Sequence, residues 1–311
     1  MRDRTVVIDT EHLTKRFGGQ AAVEDLSLHV AAGEVFGFLG PNGAGKTTTV
    51  RMLAGLISKT SGSARIAGHE VGPEDSALEI RRIVGLLPEN VGLYEALSPY
   101  QILDFFGQMY DCPDGPRRAN IERLLRLFDL WELKDRPVAT FSKGMKQKVA
   151  LARALVHDPK LLFLDEPTAN LDPEAAKTVR DCILALKKEG RTIFLTTHNL
   201  DEAQRICDRV AILRTRLLTV GAPDQLRASL SGHRTQVRLE RTDDTLLHQV
   251  RERLSPRRVE RSAEGFVVEV EDPDRENPEV VRAIVEAGGR VRSVTEVGPS
   301  FEDVYLKLVR G

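Results

Sequence analysis

Gly40-Pro-Asn-Gly-Ala-Gly45-Lys46-Thr47-Thr48 is the stretch from which the rest of the chain can be read. It fits the P-loop pattern G-x-x-x-x-G-K-[ST]. Ahead of it, Glu34-Val-Phe-Gly-Phe-Leu39 reads as a short apolar strand; behind it, Thr47-Thr-Thr-Val-Arg-Met-Leu-Ala-Gly-Leu56 reads as a helix. Gly43 and Gly45 let the backbone approach a polyphosphate closely enough for loop N–H groups to point at its oxygens. The helix behind adds the positive end of its dipole, where the first N–H groups lack intrahelical partners. In such a loop Lys46 bridges the β- and γ-phosphates and the Thr47 hydroxyl holds Mg²⁺. A glycine turn that merely precedes a lysine would show the same letters, but it needs neither the strand before nor the helix after.

The chain has 311 residues, room for about two domains. Apolar residues make up 41%, enough for a packed globule. With 45 basic against 46 acidic side chains the net charge is −1, which leaves no electrostatic footprint for nucleic acid or anionic lipid. Cys112, Cys182 and Cys207 show no CxxC spacing and leave one thiol over in any disulfide scheme, as expected of a reduced compartment without structural zinc. The opening residues Met1–Asp9 contain no apolar signal core, so no secretion is expected. No stretch approaches the roughly 18 uninterrupted apolar residues of a membrane helix. A soluble chain is expected, with any spanning left to another polypeptide.

Val6–Leu13 and Ala22–Val30 alternate with period two around the turn residues Phe17-Gly18-Gly19, a pattern of antiparallel strands. Ser61–Gly68 reads as a strand, Ser76–Arg82 as a polar helix and Ile83–Leu87 as a buried strand. Ser98-Pro99-Tyr100-Gln101 has the cap, proline and capping-box glutamine of a helix start. From there to Trp131 the apolar spacing is helical, an insertion without strands. Ser142 caps a helix to Leu155; Leu161–Leu164 is a continuous apolar strand ending in Asp165-Glu166; Asp172-Pro173-Glu174 opens a helix to Gly190; Thr192–Thr197 is another buried strand. Asn199…Glu202 caps the helix behind it. Strands alternating with helices predict a parallel sheet covered on both faces. Past Pro223 the pattern changes to strand, helix, strand, strand, helix, strand (Thr235–Leu239, a helix before Leu254, Arg258–Arg261, Gly265–Val270, Asn277–Ala287, Arg290–Val294), with a last helix from Phe301 to Val309. This is an α+β appendage of ferredoxin-like order.

A strand that ends in two carboxylates is the expected second half of a P-loop site. Asp165 would hold Mg²⁺ through its water shell, and Glu166, one residue further, could polarise a water aimed at the γ-phosphate. A solvated Asp-Glu pair is the plainer reading. His198 directly follows a buried strand at the carboxyl edge of the sheet, where ligands gather in open α/β folds, and could donate to the γ-phosphate. Phe17 could stack on an adenine base; a core or turn-packing ring fits the same position. Phe141-Ser142-Lys143-Gly144-Met145 opens a helix with a serine cap and nearby lysines, a second anion-seeking terminus. One site needs only one cradle, so the second is redundant unless it serves a neighbouring subunit.

Taken in this order, the segments closely resemble the ATP-binding subunit of an ABC transporter, over roughly residues 5–230. Gly40, Pro41, Asn42, Gly43, Ala44, Gly45, Lys46, Thr47 and the adjacent Thr48 match Walker A; Leu161–Asp165 matches Walker B, with Glu166 as catalytic base. Phe141–Met145 matches the signature motif, Ala169-Asn170-Leu171-Asp172 the D-loop, His198 the switch histidine and Phe17 the adenine-stacking aromatic. Glu89 stands where most of the family has glutamine and Lys143 where many have glycine; both resemble the branch of single-cassette subunits that pair with a separate permease, including drug, antibiotic and polysaccharide exporters.

The resemblance implies a P-loop NTPase core with a parallel sheet, an N-terminal antiparallel β subdomain, an inserted helical subdomain at about 95–157, and a small C-terminal α+β domain. The expected division is a cassette over 1–230 and an accessory domain over 231–311. It further implies ATP and Mg²⁺, with Thr47, Asp165 and Glu89 on the metal, and a transmembrane permease at the inner face of the cell membrane. A second cassette, expected to be an identical copy, would meet the first head to tail. Its Ser142, Lys143, Gly144 and Met145 would contact the γ-phosphate across the interface. A soluble ABC ATPase acting on ribosomes or DNA is the alternative, disfavoured by the single cassette, the absence of sustained heptads and the neutral charge. A P-loop kinase would leave Ser142 unexplained.

Overall fold

The computed structural model describes residues 5–228, 233–297 and 300–310. They form two compact units, Met1–Pro223 and Asp224–Gly311. In the first, strands β1 (Val6–Phe17) and β2 (Gln20–Ala31) make an antiparallel hairpin, and β3 (Val35–Leu39) leads through the glycine loop into helix α1 (Lys46–Leu53). Strand β4 (Ser61–Ile66) returns to pair with β1 and carries the short β5 (His69–Glu70) on its far side. Helix α2 (Glu74–Ile83) then leads to β6 (Val84–Leu87).

The helical insertion follows as predicted. Ser98 caps α3 (Pro99–Met109) with a complete capping box: its hydroxyl accepts from the Gln101 N–H while the Gln101 side chain accepts from the Ser98 N–H. Helix α4 (Asp114–Leu127) continues the insertion, and α5 (Lys143–Ala154) begins behind Ser142. Strand β7 (Leu161–Asp165), helix α6 (Pro173–Lys188), strand β8 (Thr192–Thr197) and helix α7 (Leu200–Ile206) alternate as the apolar pattern requires. Every residue of β3, β7 and β8 is buried, as expected of strands covered on both faces.

Two strands that the sequence reading leaves out follow: β9 (Arg209–Arg214) and β10 (Arg216–Gly221). They form a hairpin that turns at Thr215 with φ +62°, a non-glycine residue in left-handed backbone, so the usual Asn-Gly signal is missing. The sheet runs β10-β9-β3-β8-β7-β6, parallel except for its β10 edge. Across its centre Phe36, Phe194 and Phe163 pair in register, with Phe194 5.6 Å from each of the other two ring centroids. That row fixes the strands lengthwise. Leu39 falls opposite Thr197 and Asp165 opposite Thr196, so the residues that follow all three strands emerge at one edge.

In the second unit β11 (His233–Leu239), α9 (Asp244–Leu254), β12 (Val259–Ser262), β13 (Gly265–Val270), α10 (Pro273–Glu286) and β14 (Val291–Val297) follow α8 (Pro223–Ala228), and α11 (Phe301–Arg310) closes the chain. The antiparallel sheet order β12-β13-β11-β14 is the ferredoxin-like arrangement expected, over a core containing Val237, Val250, Phe266 and Ile284. Helix α10 starts ahead of the predicted Asn277. Asp272 caps it through the Asp274 N–H and Pro273 takes the first position, while Pro278 lies inside the helix.

Candidate functional site: a polar cavity at the carboxyl edge

The glycine loop closes over the end of β3. Gly45 is the N-cap of α1 at φ +101°, and a Cβ there would come within 2.3 Å of the Ala22 carbonyl oxygen. The hairpin missed in sequence supports the loop from outside. Thr215 N–H donates to the Ala44 oxygen at 3.0 Å, and the Leu213 oxygen stands 2.4 Å from where a Cβ on Gly40 would be. Thr49 makes the first helix-type bond, to the Gly45 oxygen, which leaves the N–H groups of Lys46, Thr47 and Thr48 ahead of the ladder. Lys46 is buried; its Nζ donates to the Gly40 oxygen at 2.7 Å and the Pro41 oxygen at 3.3 Å.

At the end of β7, Asp165 is buried and accepts from the Thr196 hydroxyl at 2.5 Å. Glu166 turns out of the strand with φ +50°, a left-handed backbone that costs about 1 kcal/mol for a residue with a Cβ. Its N–H donates to the main-chain and side-chain oxygens of Thr196, which hold that turn. Its Oε1 stands 3.3 Å from Lys46 Nζ and its Oε2 2.9 Å from His198 Nδ1. Segments from opposite ends of the cassette therefore meet through one carboxylate.

Lys46, Glu166 and His198 face a polar cavity of about 880 Å³, within the range of ligand pockets. Phe17, Pro41, Asn42, Gly43, Ala44, Gly45, Lys46, Thr47, Thr48, Glu89, Glu166, Asn170 and His198 all line it. Phe17 is 54% exposed, with Lys15 Nζ 4.8 Å from its ring centre, so it is not a core ring; stacking on a base and packing on the turn both fit this position. Gly40 and Asp165 lie behind the lining, and Asp172 is engaged as the cap of α6, accepting from the N–H groups of Glu174 and Ala175. The oxygen donors Thr47, Asp165 and Glu89 suit a hard cation that keeps most of its waters. Among the described residues no cluster of three or more His, Cys, Asp or Glu side chains could hold a metal by itself.

Ser142, Lys143, Gly144 and Met145 do not line this cavity. Ser142 and Lys143 are exposed, and the Ser142 hydroxyl accepts from the Met145 N–H at 3.3 Å as helix cap. Gly144 is buried for a packing reason: a Cβ would meet Ala175 Cβ at 2.7 Å. The links made by Thr196, Thr168 and Glu202 escaped the sequence reading: Thr196 passes for an ordinary residue of a buried strand, Thr168 for a loop residue, and Glu202 shows only as part of the helix start behind Asn199.

The ABC transporter family model matches residues 23–169, and the model for the C-terminal domain of ATP-binding proteins like DrrA1-3 matches 221–309. The daunorubicin resistance ATP-binding protein DrrA3 of Streptomyces coeruleorubidus is 35% identical over 309 residues, covering 99% of this chain and 96% of its own. The Nod factor export ATP-binding protein I of Rhizobium sp. (strain N33) is 35% identical over 304 residues, covering 97% of each. Among solved structures, an ATP-binding subunit of an ABC transporter superposes with TM-score 0.65 at 33% identity, over 71% of this chain and 92% of that one. CbiO1 from Clostridium perfringens, part of the ABC transporter complex cbiONQ, superposes with TM-score 0.67 at 27% identity, over 80% of this chain and 96% of that one. No helix among the described residues is long and apolar enough to cross a membrane. The chain belongs to the ATP-binding subunits of ABC transporters, ATPases that power transport in partnership with separate transmembrane components.

Proposed function

We propose that this subunit drives export by binding ATP between two copies of itself, at the inner face of the membrane, with a permease as the moving partner. The observation that carries the reading is the position of Ser142 and Lys143. They form an exposed, serine-capped, basic helix terminus that its own nucleotide cavity does not use. A twin chain facing head to tail would bring that terminus to the γ-phosphate.

In this reading Phe17 stacks on the base, the loop Gly40–Thr48 cradles the phosphates, and Lys46 releases Glu166 to meet the γ-phosphate. Thr47, Asp165 and Glu89 would hold Mg²⁺, which supplies charge neutralisation on the phosphate oxygens. Glu166 takes the proton of the attacking water, and His198 orients that carboxylate and donates to the γ-phosphate. Asn170 and Asp172 contribute to the facing surface. Triphosphate charge in a gap lined by Lys46, Lys143 and two helix termini favours closure; phosphate release removes the charge and the pair relaxes.

The segment Glu89–Tyr94 would pass this motion on. Arg153 donates to the Gly92 oxygen at 3.1 Å and Lys146 pairs with Glu95 at 2.5 Å, which ties the segment to the helix that begins at Ser142. Beside it Tyr94, Phe105 and Met109 are exposed, and Tyr94 meets Phe105 edge-on at 6.0 Å. Leu93 and this aromatic cluster fit an apolar contact with the permease. The relatives named for daunorubicin resistance and Nod factor export support the outward direction. Nothing in the comparisons supports a soluble ATPase acting on ribosomes or DNA.

The test is complementation between copies. Lys46→Ala and Ser142→Arg are each inactive alone; mixed, they are expected to recover part of the wild-type turnover, because one of the two composite sites is then intact. No recovery, together with no crosslink between the two regions across copies, overturns the shared site. Ser142 is the residue to change, because a side chain at Gly144 would disturb packing against Ala175 within one chain.

A further inference from the structure

Behind the cavity lies a carboxylate that the hydrolytic steps leave unused. Glu202, on α7, is only 2% exposed. Its Oε1 accepts from the Thr168 hydroxyl at 2.7 Å and its Oε2 from the Thr197 hydroxyl at 2.9 Å. Its own N–H is capped by the Asn199 side chain at 3.0 Å. Burial pushes its carboxyl above the usual range, although both hydroxyl bonds pull the other way. A buried acid in that position costs stability, and a well-packed apolar side chain would avoid the cost.

Thr168 lies two residues after Glu166 and two before Asn170, and Thr197 lies immediately before His198. Thr196, one residue earlier on β8, holds Asp165 and the Glu166 N–H. The end of β8 therefore grips the end of β7 through one hydroxyl and, through the next hydroxyl and Glu202, the loop beyond it. We propose that Glu202 is a positioning residue for ATP hydrolysis: it locks the loop behind Glu166 to the strand end that carries His198, and so sets the Glu166–His198 contact. The inference rests on the ATPase activity of this site. A carboxylate suits the task because its two oxygens accept from two donors at once; an amide has one acceptor oxygen.

The experiment measures kcat and KM for ATP of the full chain, with nucleotide affinity alongside. Glu202→Ala is expected to lower kcat about tenfold with KM within about twofold, since the loss is of alignment and not of binding. Thr168→Val should show the same split, and adding it to Glu202→Ala should cost nothing further, because both remove one link. Glu202→Gln should fall between wild type and alanine. Wild-type kcat in Glu202→Ala, a KM rise with kcat unchanged, or losses that multiply in the double variant would each overturn the proposal. Should Glu202→Ala not fold, Thr168→Val and Thr197→Val each remove one bond to Glu202 while keeping the acid, Thr197→Val also removing the acceptor of the Asn199 N–H, and wild-type kcat in both overturns it equally. Loss of nucleotide affinity in the unaltered chain would instead count against the ATP site itself.

Discussion

Lys46 Nζ stands 3.3 Å from Glu166 Oε1, with both side chains almost wholly withdrawn from solvent. The same carboxylate meets His198 Nδ1 on its other side. The lysine of the phosphate loop and this carboxylate thus neutralise one another, and in the proposed mechanism a triphosphate would part them before Glu166 acts as base.

Removing the carboxylate charge separates the two roles. Glu166→Gln is expected to bind ATP as tightly as wild type or more tightly, because Lys46 loses an anionic competitor. Its turnover is expected to fall by about two to three orders of magnitude with the loss of the base. Equilibrium nucleotide titration and single-turnover hydrolysis read the two effects separately; normal hydrolysis would remove Glu166 from the base role.

Two glycines of one loop should differ in cost. Gly43 has φ +81° and nothing within 4 Å of where a Cβ would stand, whereas Gly45 has φ +101° and a Cβ would clash with the Ala22 oxygen. Gly43→Ala is expected to cost about 1–2 kcal/mol of unfolding free energy from the backbone alone. Gly45→Ala adds displacement of the β2 backbone, so its midpoint in chemical denaturation should fall clearly further, with nucleotide binding lost alongside.

His157 predicts an acid-side loss of stability. Its ring stacks on Tyr110 at 3.8 Å, its Nε2 meets the Val84 carbonyl at 3.0 Å, and Nδ1 is buried without a partner. A carbonyl only accepts, so the neutral ring carries its proton on Nε2 and a second proton would be buried unpaired. Burial lowers this histidine below its ordinary 6.5, with Arg191 adding to the shift while the Val84 bond and Asp158 oppose it. The unfolded chain therefore binds the proton more tightly. The stabilising contribution is complete above pH 6.5 and is lost as pH falls toward the folded value, by at most about 1.4 kcal/mol per pH unit. His157→Phe keeps the stack without the titration. Its stability should decline less steeply below pH 6.5 in denaturant melts, and an identical slope would refute the assignment.

The strands β3, β7 and β8 were legible because burial on both faces writes continuous apolar runs such as Leu161–Leu164. The caps Ser98, Ser142, Asp172 and Asn199 were legible because hydrogen bonding to nearby N–H groups is a local affair. The β9–β10 hairpin was not, since its turn relies on Thr215 in left-handed backbone held by bonds to Ala44 and Glu24, both distant in the chain.

By itself the sequence determined which groups are present and on which kind of element they sit: a glycine loop before a helix, two carboxylates after a strand, a histidine after another. Those are consequences of spacing and side-chain chemistry, and they travel with the chain. Only the tertiary structure decided that Lys46, Glu166 and His198 meet at one carboxylate. The Phe36–Phe194–Phe163 row sets three strands in register, and register alone brings residues more than a hundred positions apart to the same edge. It also decided that Glu202 is structural company for Thr168 and Thr197, because burial and hydroxyl direction depend on packing that no local pattern encodes.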